Sequence, residues 1–391
     1  MTNAHRRDAA LDIARGLIMV LMALDHTRMY FSSATFDPVT IGQTTPAYFA
    51  TRWVTHLCAP GFFFLAGLGA SLAERAGMSG RLSSFWLASR GLWLLALEFT
   101  LIAFAWSFTL RWSWIGVIAS LGASMICLAA LRWAPKAALG AAALLVIVLH
   151  NAFPVSEWIS SAWLSALAYG GGVAEMSFGD RIMLFPIAPW LAVMVAGYAF
   201  GAWLTPGGRA SPTRFAAIGA VLCVAFVSLR YMGFGEPAMG GSREYASASD
   251  TIMSFFNVEK YPPSLQYLCA TLGVLFLLIA AFGRLHQRAA DAAKSRFEPL
   301  LSFGRVPFFF YLLHLYVIHG LALLVAWALG WPTHYLFWRD VGPNLTPPDG
   351  YGLSLWGVYG VLALVLAILY PLCAAFAALK ARSNAFWLKY F

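Results

Sequence analysis

LDIARGLIMVLMALDHTRMYF, residues 11–31, decides how the rest of the chain is read. It is long and apolar enough to cross a bilayer, which takes about 20 mainly apolar residues. Yet it carries Asp12, Arg15, Asp25 and His26 inside the apolar run. A charge at the centre of a spanning helix costs about 2.5–3.5 kcal/mol on insertion scales, so such groups are functional candidates by default. Arg15 and His26 are eleven residues apart. At 100° per residue they share a face, separated by about 16 Å along the axis. Met19 and Met22 lie between them on that stripe. One face therefore sets a cation near one membrane surface and an imidazole near the other. That suits an anionic donor held at one depth and proton chemistry at another. Asp12 and Arg15, at i,i+3, can also pair with each other.

Composition places the whole chain in the same class. Hydrophobic residues make up 60% of the 391, charged residues only 11%, and mean hydropathy is +0.71. A soluble domain carries about 25% charged residues, so lipid must cover this surface. Ten apolar segments can span: 11–31, 53–73, 87–108, 112–131, 137–153, 184–204, 215–231, 264–283, 303–329 and 354–378. The stretch 161–173 is too short and reads as interfacial. No linker or repeat divides the chain, so we expect an all-α, polytopic transmembrane bundle forming one domain over 1–391.

The net charge of +9 points to topology rather than nucleic acid. The bases sit in short loops on one side: Arg6, Arg7, Arg75, Arg81, Arg132, Lys136, Arg209, Arg214, Arg284, Arg288, Lys294, Arg296, Lys380, Arg382 and Lys389. Most acids fall in the alternate loops, at Asp37, Glu157, Glu175, Asp180, Glu236, Glu244, Asp250, Glu259, Asp340 and Asp349. The positive-inside rule then puts both termini in the cytoplasm. The N-terminus reads as a retained helix rather than a cleaved signal peptide. The five cysteines lack CxxC spacing and read as small core residues. The eight histidines show no ligand clustering, so no metal is expected, and no P-loop, HExxH or GxSxG pattern occurs.

Four further segments carry polar groups. Arg52 and His56 are an i,i+4 pair at the depth of Asp25 and His26, followed by Pro60-Gly61, which weakens the helix and can open backbone groups to a cavity. Asn257-Val-Glu-Lys260-Tyr261-Pro-Pro-Ser264 places Lys260 and Tyr261 on the outer side, as vestibule residues or as a helix start with an interfacial tyrosine. Arg305 and His314, with Arg15 and Arg90, can line a passage from the cytoplasm, the arginines contacting phosphates. Glu98 is expected to partner a buried base or histidine.

The segments LDIARGLIMVLMALDHTRMYF, TRWVTHLCAPGFFFLAGLGASLA, FNVEKYPPSLQYLCATLG and FGRVPFFFYLLHLYVIHG, in that order, resemble the bacterial branch of the heparan-α-glucosaminide N-acetyltransferase catalytic-domain family. The resemblance runs from Leu11 to about His319. It implies a multi-pass inner-membrane acyltransferase that takes acetyl groups from cytosolic acetyl-CoA and delivers them to an extracytoplasmic sugar amine or hydroxyl. The Arg15–His26 spacing is similar to the arginine, ten-residue gap, histidine pattern of the wider membrane acyltransferase superfamily, whose histidine is regarded as catalytic. There is a departure. Where the lysosomal members carry an asparagine and, eleven residues on, a catalytic histidine, this chain has Asp25 and Phe36.

The catalytic role therefore falls to His26 or His56. We expect His26 as general base held in its tautomer by Asp25, with Arg52 or His56 stabilising the oxyanion. Arg15 and Arg305 would bind coenzyme phosphates, His314 would line the route, and Lys260 and Tyr261 would meet the acceptor. The expected partners are acyl-CoA, a glycan acceptor and lipid, with a homo-oligomer compatible. The rivals are a transporter or flippase for an anionic or glycan-linked solute, and a non-catalytic subunit for envelope assembly.

Overall fold

A computed structural model describes residues 8–110, 112–152, 159, 161–169, 172–174, 180–204, 211–235, 244–289, 295–337, 347–383 and 385–391. Arg6, Arg7, Glu157, Glu175, Arg209, Glu236, Lys294 and Asp340, which entered the orientation argument, lie outside them.

The protein is a polytopic helical membrane bundle. Helix α1 (Ala9–Phe31) is followed by α2 (Pro46–Val54), a 3-10 turn at Thr55–Leu57, and α3 (Cys58–Arg75). Then come α4 (Gly80–Leu97), a π-helical turn at Glu98–Ile102, and α5 (Ala103–Ser107). The chain continues through α6 (Val117–Leu131), α7 (Lys136–Leu149), α8 (Ala162–Tyr169), α9 (Ile187–Phe200) and α10 (Pro212–Met232). It ends with α11 (Ala248–Phe256), α12 (Leu265–Arg288), α13 (Glu298–Arg305), α14 (Pro307–Leu329) and α15 (Leu355–Arg382).

The described parts of the ten apolar segments fall mainly on helices or near-continuous helical runs, apart from residues 112–115. Among the described residues, six runs are long and apolar enough to cross a membrane: Pro46–Arg75, Gly80–Ser107, Pro212–Met232, Leu265–Arg288, Pro307–Leu329 and Leu355–Arg382. Val117–Leu131, Lys136–Leu149 and Ile187–Trp203 are shorter apolar helices. Helix α1 has the length, at 23 residues, but is the most charged.

One element departs from an all-helical reading. Residues 112–115, expected to begin a spanning helix, form strand β1 (Trp112–Ile115). It pairs in parallel with β3 (Asp180–Met183), which pairs antiparallel with β2 (Gly172–Ala174). A short apolar run such as Trp-Ser-Trp-Ile satisfies a hydropathy ruler in either conformation, and only the partner strand decides between them.

Helix α1 occupies the middle of the bundle, against α3, α12, α13, α14 and α15. Its Asp8 N-cap accepts from the amides of Ala10 and Leu11 at 2.9 and 3.4 Å, satisfying donors the helix start leaves open. Small residues set the closest crossings, as is usual where lipid removes the hydrophobic drive between helices. A Cβ on Gly16 would lie 1.9 Å from the Leu300 carbonyl oxygen, and one on Gly304 would lie 1.8 Å from that of Asp12, so α1 and α13 touch backbone to backbone. At the other extreme, only 17% of the apolar window of α15 and 22% of that of α10 is buried. These outward faces are the ones lipid must cover.

Polar groups fix the entrance to α12. Arg230, 2% exposed, donates to Gln266 Oε1 at 3.0 Å and to the carbonyl oxygens of Ser254 and Asn257 at 2.6 and 2.8 Å. Ser264, after Pro262-Pro263, caps α12 by accepting from the Tyr267 amide at 3.0 Å. Lys260 and Tyr261 are thereby held between two anchored points.

Candidate active site

Two cavities enter the bundle from opposite ends and share lining residues. The first, about 550 Å³, lies at the acid-rich end and is lined by Met22, Asp25, His26, Arg52, Lys260 and Tyr261 among others. The second, about 750 Å³, lies at the basic-loop end and is lined by Leu11, Arg15, Met19, Arg90 and Arg305 among others. Phe62 and Tyr311 line both. Helix α1 runs past the two in turn, with Arg15 and Met19 facing the basic cavity and Met22 and His26 the acidic one.

His26 is half-buried. Its Nδ1 lies 2.7 Å from His314 Nε2, and the Trp106 ring stands edge-on to it at 4.8 Å between centroids. The expectation that Asp25 orients His26 is corrected. Adjacent helical residues point about 100° apart and do not face each other. Both Asp25 oxygens are already engaged: Oδ1 accepts from Arg28 Nη2 at 3.0 Å, and Oδ2 from Arg52 Nη1 at 2.8 Å. Asp25 therefore positions Arg52, which also donates to Thr55 Oγ1 at 3.2 Å. His314 is corrected too. It is fully buried and lines neither cavity, so it stands behind His26 rather than along a coenzyme route.

His56 belongs to an adjoining chamber of about 460 Å³, lined also by Thr40, Ser254 and Asn257. Asp37, Arg52, Lys260 and Tyr261 line this chamber and the acidic cavity alike. His56 itself does not line the cavity that holds His26. Sequence reasoning placed the helix weakness at Pro60-Gly61, and the structure shows its consequence one turn earlier. Pro60 has no amide hydrogen to give the His56 carbonyl, and that oxygen accepts from Tyr267 Oη at 2.8 Å instead. The neighbouring residues Thr55–Leu57 tighten into the 3-10 turn.

Lys260 is 9% exposed. Its ammonium lies over the rings of Tyr261 and Phe185, at 5.0 and 5.8 Å, and has no carboxylate partner among the described residues. Cation–π contact of this kind is worth about 0.5–2 kcal/mol, less than a full ion pair would supply in a desolvated site. Glu98 does not partner a base. Its Oε1 accepts from the Gly116 amide at 2.7 Å, at the N-terminus of α6, where an anion is favoured.

In the basic cavity, Arg15 pairs with Asp12 at 2.8 Å and Arg305 with Glu298 at 2.8 Å. Arg90 stacks on Trp86 at 5.1 Å and has no carboxylate partner among the described residues. Arg75 and Lys380 complete five basic side chains against two acids, Asp8 and Asp12. Such a mouth favours an anion of several charges. Among the described residues no group of three or more His, Cys, Asp or Glu is placed to hold a metal ion.

The profile of the family described as heparan-alpha-glucosaminide N-acetyltransferase, catalytic, matches residues 7–232, more than half of the chain. The chain belongs to that family. Membership in the heparan-alpha-glucosaminide N-acetyltransferase catalytic family makes the protein a membrane transferase of the N-acetyltransferase type. The match includes Arg15, Asp25, His26, Arg52 and His56, while Lys260, Tyr261, Arg305 and His314 lie beyond it. No curated protein matches the chain.

Sequence reasoning missed Phe62, Trp106, Tyr311 and Arg28 at the site. Tyr311 had a signal, because it lies three residues before His314 and so on the same helix face. Phe62 and Trp106 had none, since aromatic residues are common on every apolar helix of this chain.

Proposed function

We propose that the protein is an acyltransferase of the bacterial inner membrane. On this reading it accepts acyl-CoA, acetyl-CoA first among them, at the basic end and passes the acyl group to a sugar or glycan hydroxyl or amine at the acid-rich end. The supporting observation is the pair of cavities that meet at Phe62 and Tyr311, one mouth cationic and the other holding an accessible imidazole. The basic loops at that end support a cytoplasmic coenzyme side.

The roles follow from chemistry. Arg15, Arg90 and Arg305 hold coenzyme phosphates, for which a guanidinium fork is well matched. Lys260 and Tyr261 contact the acceptor. His26 acts as general base. It takes the acceptor proton as the acceptor oxygen or nitrogen bonds to the thioester carbonyl carbon. Arg52, held by Asp25, and Lys260 face the oxyanion that develops. The carbon–sulfur bond then breaks, and the departing thiolate receives the proton from His26. The acyl group has moved, and the base is restored.

Purified protein given acetyl-CoA and a glucosamine-type acceptor should release free coenzyme A, and His26→Ala should lower kcat by about 10²–10⁴-fold. Two mouths meeting mid-bundle also suit a carrier for an anionic or glycan-linked solute. Uptake into proteoliposomes without coenzyme A release would overturn the enzymatic reading, and a folded His26→Ala protein at full rate would remove His26 as the base.

A further inference from the structure

His314 determines more about this site than its burial suggests. Its Nδ1 faces two backbone carbonyl oxygens, those of Tyr311 and, at 3.2 Å, Phe310. Carbonyl oxygens only accept, so Nδ1 must carry the ring hydrogen. The Nε2 of a neutral His314 then presents a lone pair, and it lies 2.7 Å from His26 Nδ1. His26 must donate there. Its own bare nitrogen is consequently Nε2, which has no hydrogen-bond partner among the described residues and belongs to a ring that lines the acidic cavity.

We propose that His314 is the positioning residue of the site: its backbone-anchored imidazole selects the Nδ1–H tautomer of His26 and so delivers Nε2 bare to the acceptor. The proposal rests on His26 being the base. The contact is also suited to the catalytic cycle. When Nε2 of His26 takes a proton, the ring becomes a cation and the bond from Nδ1–H to His314 becomes charge-assisted, hence stronger. A carboxylate in the same place would do this too, at the cost of burying an anion deep in an apolar bundle. A neutral imidazole gives the direction without the charge. The Trp106 ring standing against His26 limits the ring flip that would otherwise exchange the two nitrogens.

Two variants and one spectrum test it on the full-length protein in detergent. His314→Leu removes the acceptor, and kcat should fall about 10²-fold, with KM for acetyl-CoA within about twofold. His314→Gln restores an accepting oxygen near the lost Nε2, and at least about tenfold of the rate should return. With 15N-labelled histidine, the His26 signals, assigned by their loss in His26→Ala, should show a protonated Nδ1 and a bare Nε2 in the wild type. A mixture of tautomers is expected in His314→Leu. A folded Leu variant at the wild-type rate, or a wild-type His26 with the bare nitrogen at Nδ1, would overturn the proposal. If the Leu variant does not fold, the Gln variant and the wild-type spectrum still decide it. An active His26→Ala protein would instead remove the role of base, while the tautomer measurement would stand by itself.

Discussion

The two cavities hold their charges in opposite ways. At the acid-rich end most polar groups grip one another: Asp25 takes Arg28 and Arg52 on its two oxygens, and His26 is bound to His314, while Lys260 rests on two rings. The three side chains of that ion-pair triad are only 15–21% exposed. At the basic end Arg15 has a buried acid, Asp12, with a side chain 6% exposed, but Arg90 and Arg305 are loosely held. Arg305 and Glu298 pair with side chains 37% and 45% exposed, and Arg90 rests on an indole. One end is built in advance, most of its groups already paired. The other is an open cationic mouth with five bases against two acids. The first arrangement suits the place where bonds change, the second a place that captures a polyanion.

This contrast makes graded predictions. Asp25→Asn should do the most damage, because it leaves two desolvated arginines without their anion. Breaking a buried pair costs on the order of 3 kcal/mol, so thermal unfolding should move down sharply and kcat should fall with it. Next comes Arg90→Ala. With no acid to compensate, its loss should raise KM for acetyl-CoA about tenfold, the equivalent of about 1.4 kcal/mol, with little change in unfolding temperature. Arg305→Ala should do least. Exposed pairs contribute about 0–1 kcal/mol, so KM should change less than about threefold, and less still at high salt. Steady-state kinetics with a thermal shift assay on each variant checks the series. If Asp25→Asn altered only KM, or Arg90→Ala mainly kcat, the contrast between the two ends would be broken.

The features that depend on a single helix could be read from the sequence. The stripe Arg15, Met19, Met22 and His26 follows from helical period alone, and the structure distributes it along the two cavities in that order. Span positions were legible for the same reason, because lipid demands long apolar runs. What depends on two helices was not. His26 and His314 lie 288 residues apart, and no periodicity says which ring meets which. Asp25 was misread because sequence adjacency suggests contact, whereas on a helix it prevents it. The turn of Trp112–Ile115 into a strand escaped because its partner, Asp180–Met183, comes 68 residues later by the paired register Trp112 to Asp180.

Sidedness is the most direct test of the account. In proteoliposomes with the termini facing inward, [14C]acetyl-CoA enclosed in the lumen and an impermeant sugar acceptor outside should yield labelled product outside and free coenzyme A inside, with His26→Ala vesicles silent. Labelled product formed only when both substrates share one face would contradict the meeting of the two cavities at Phe62 and Tyr311.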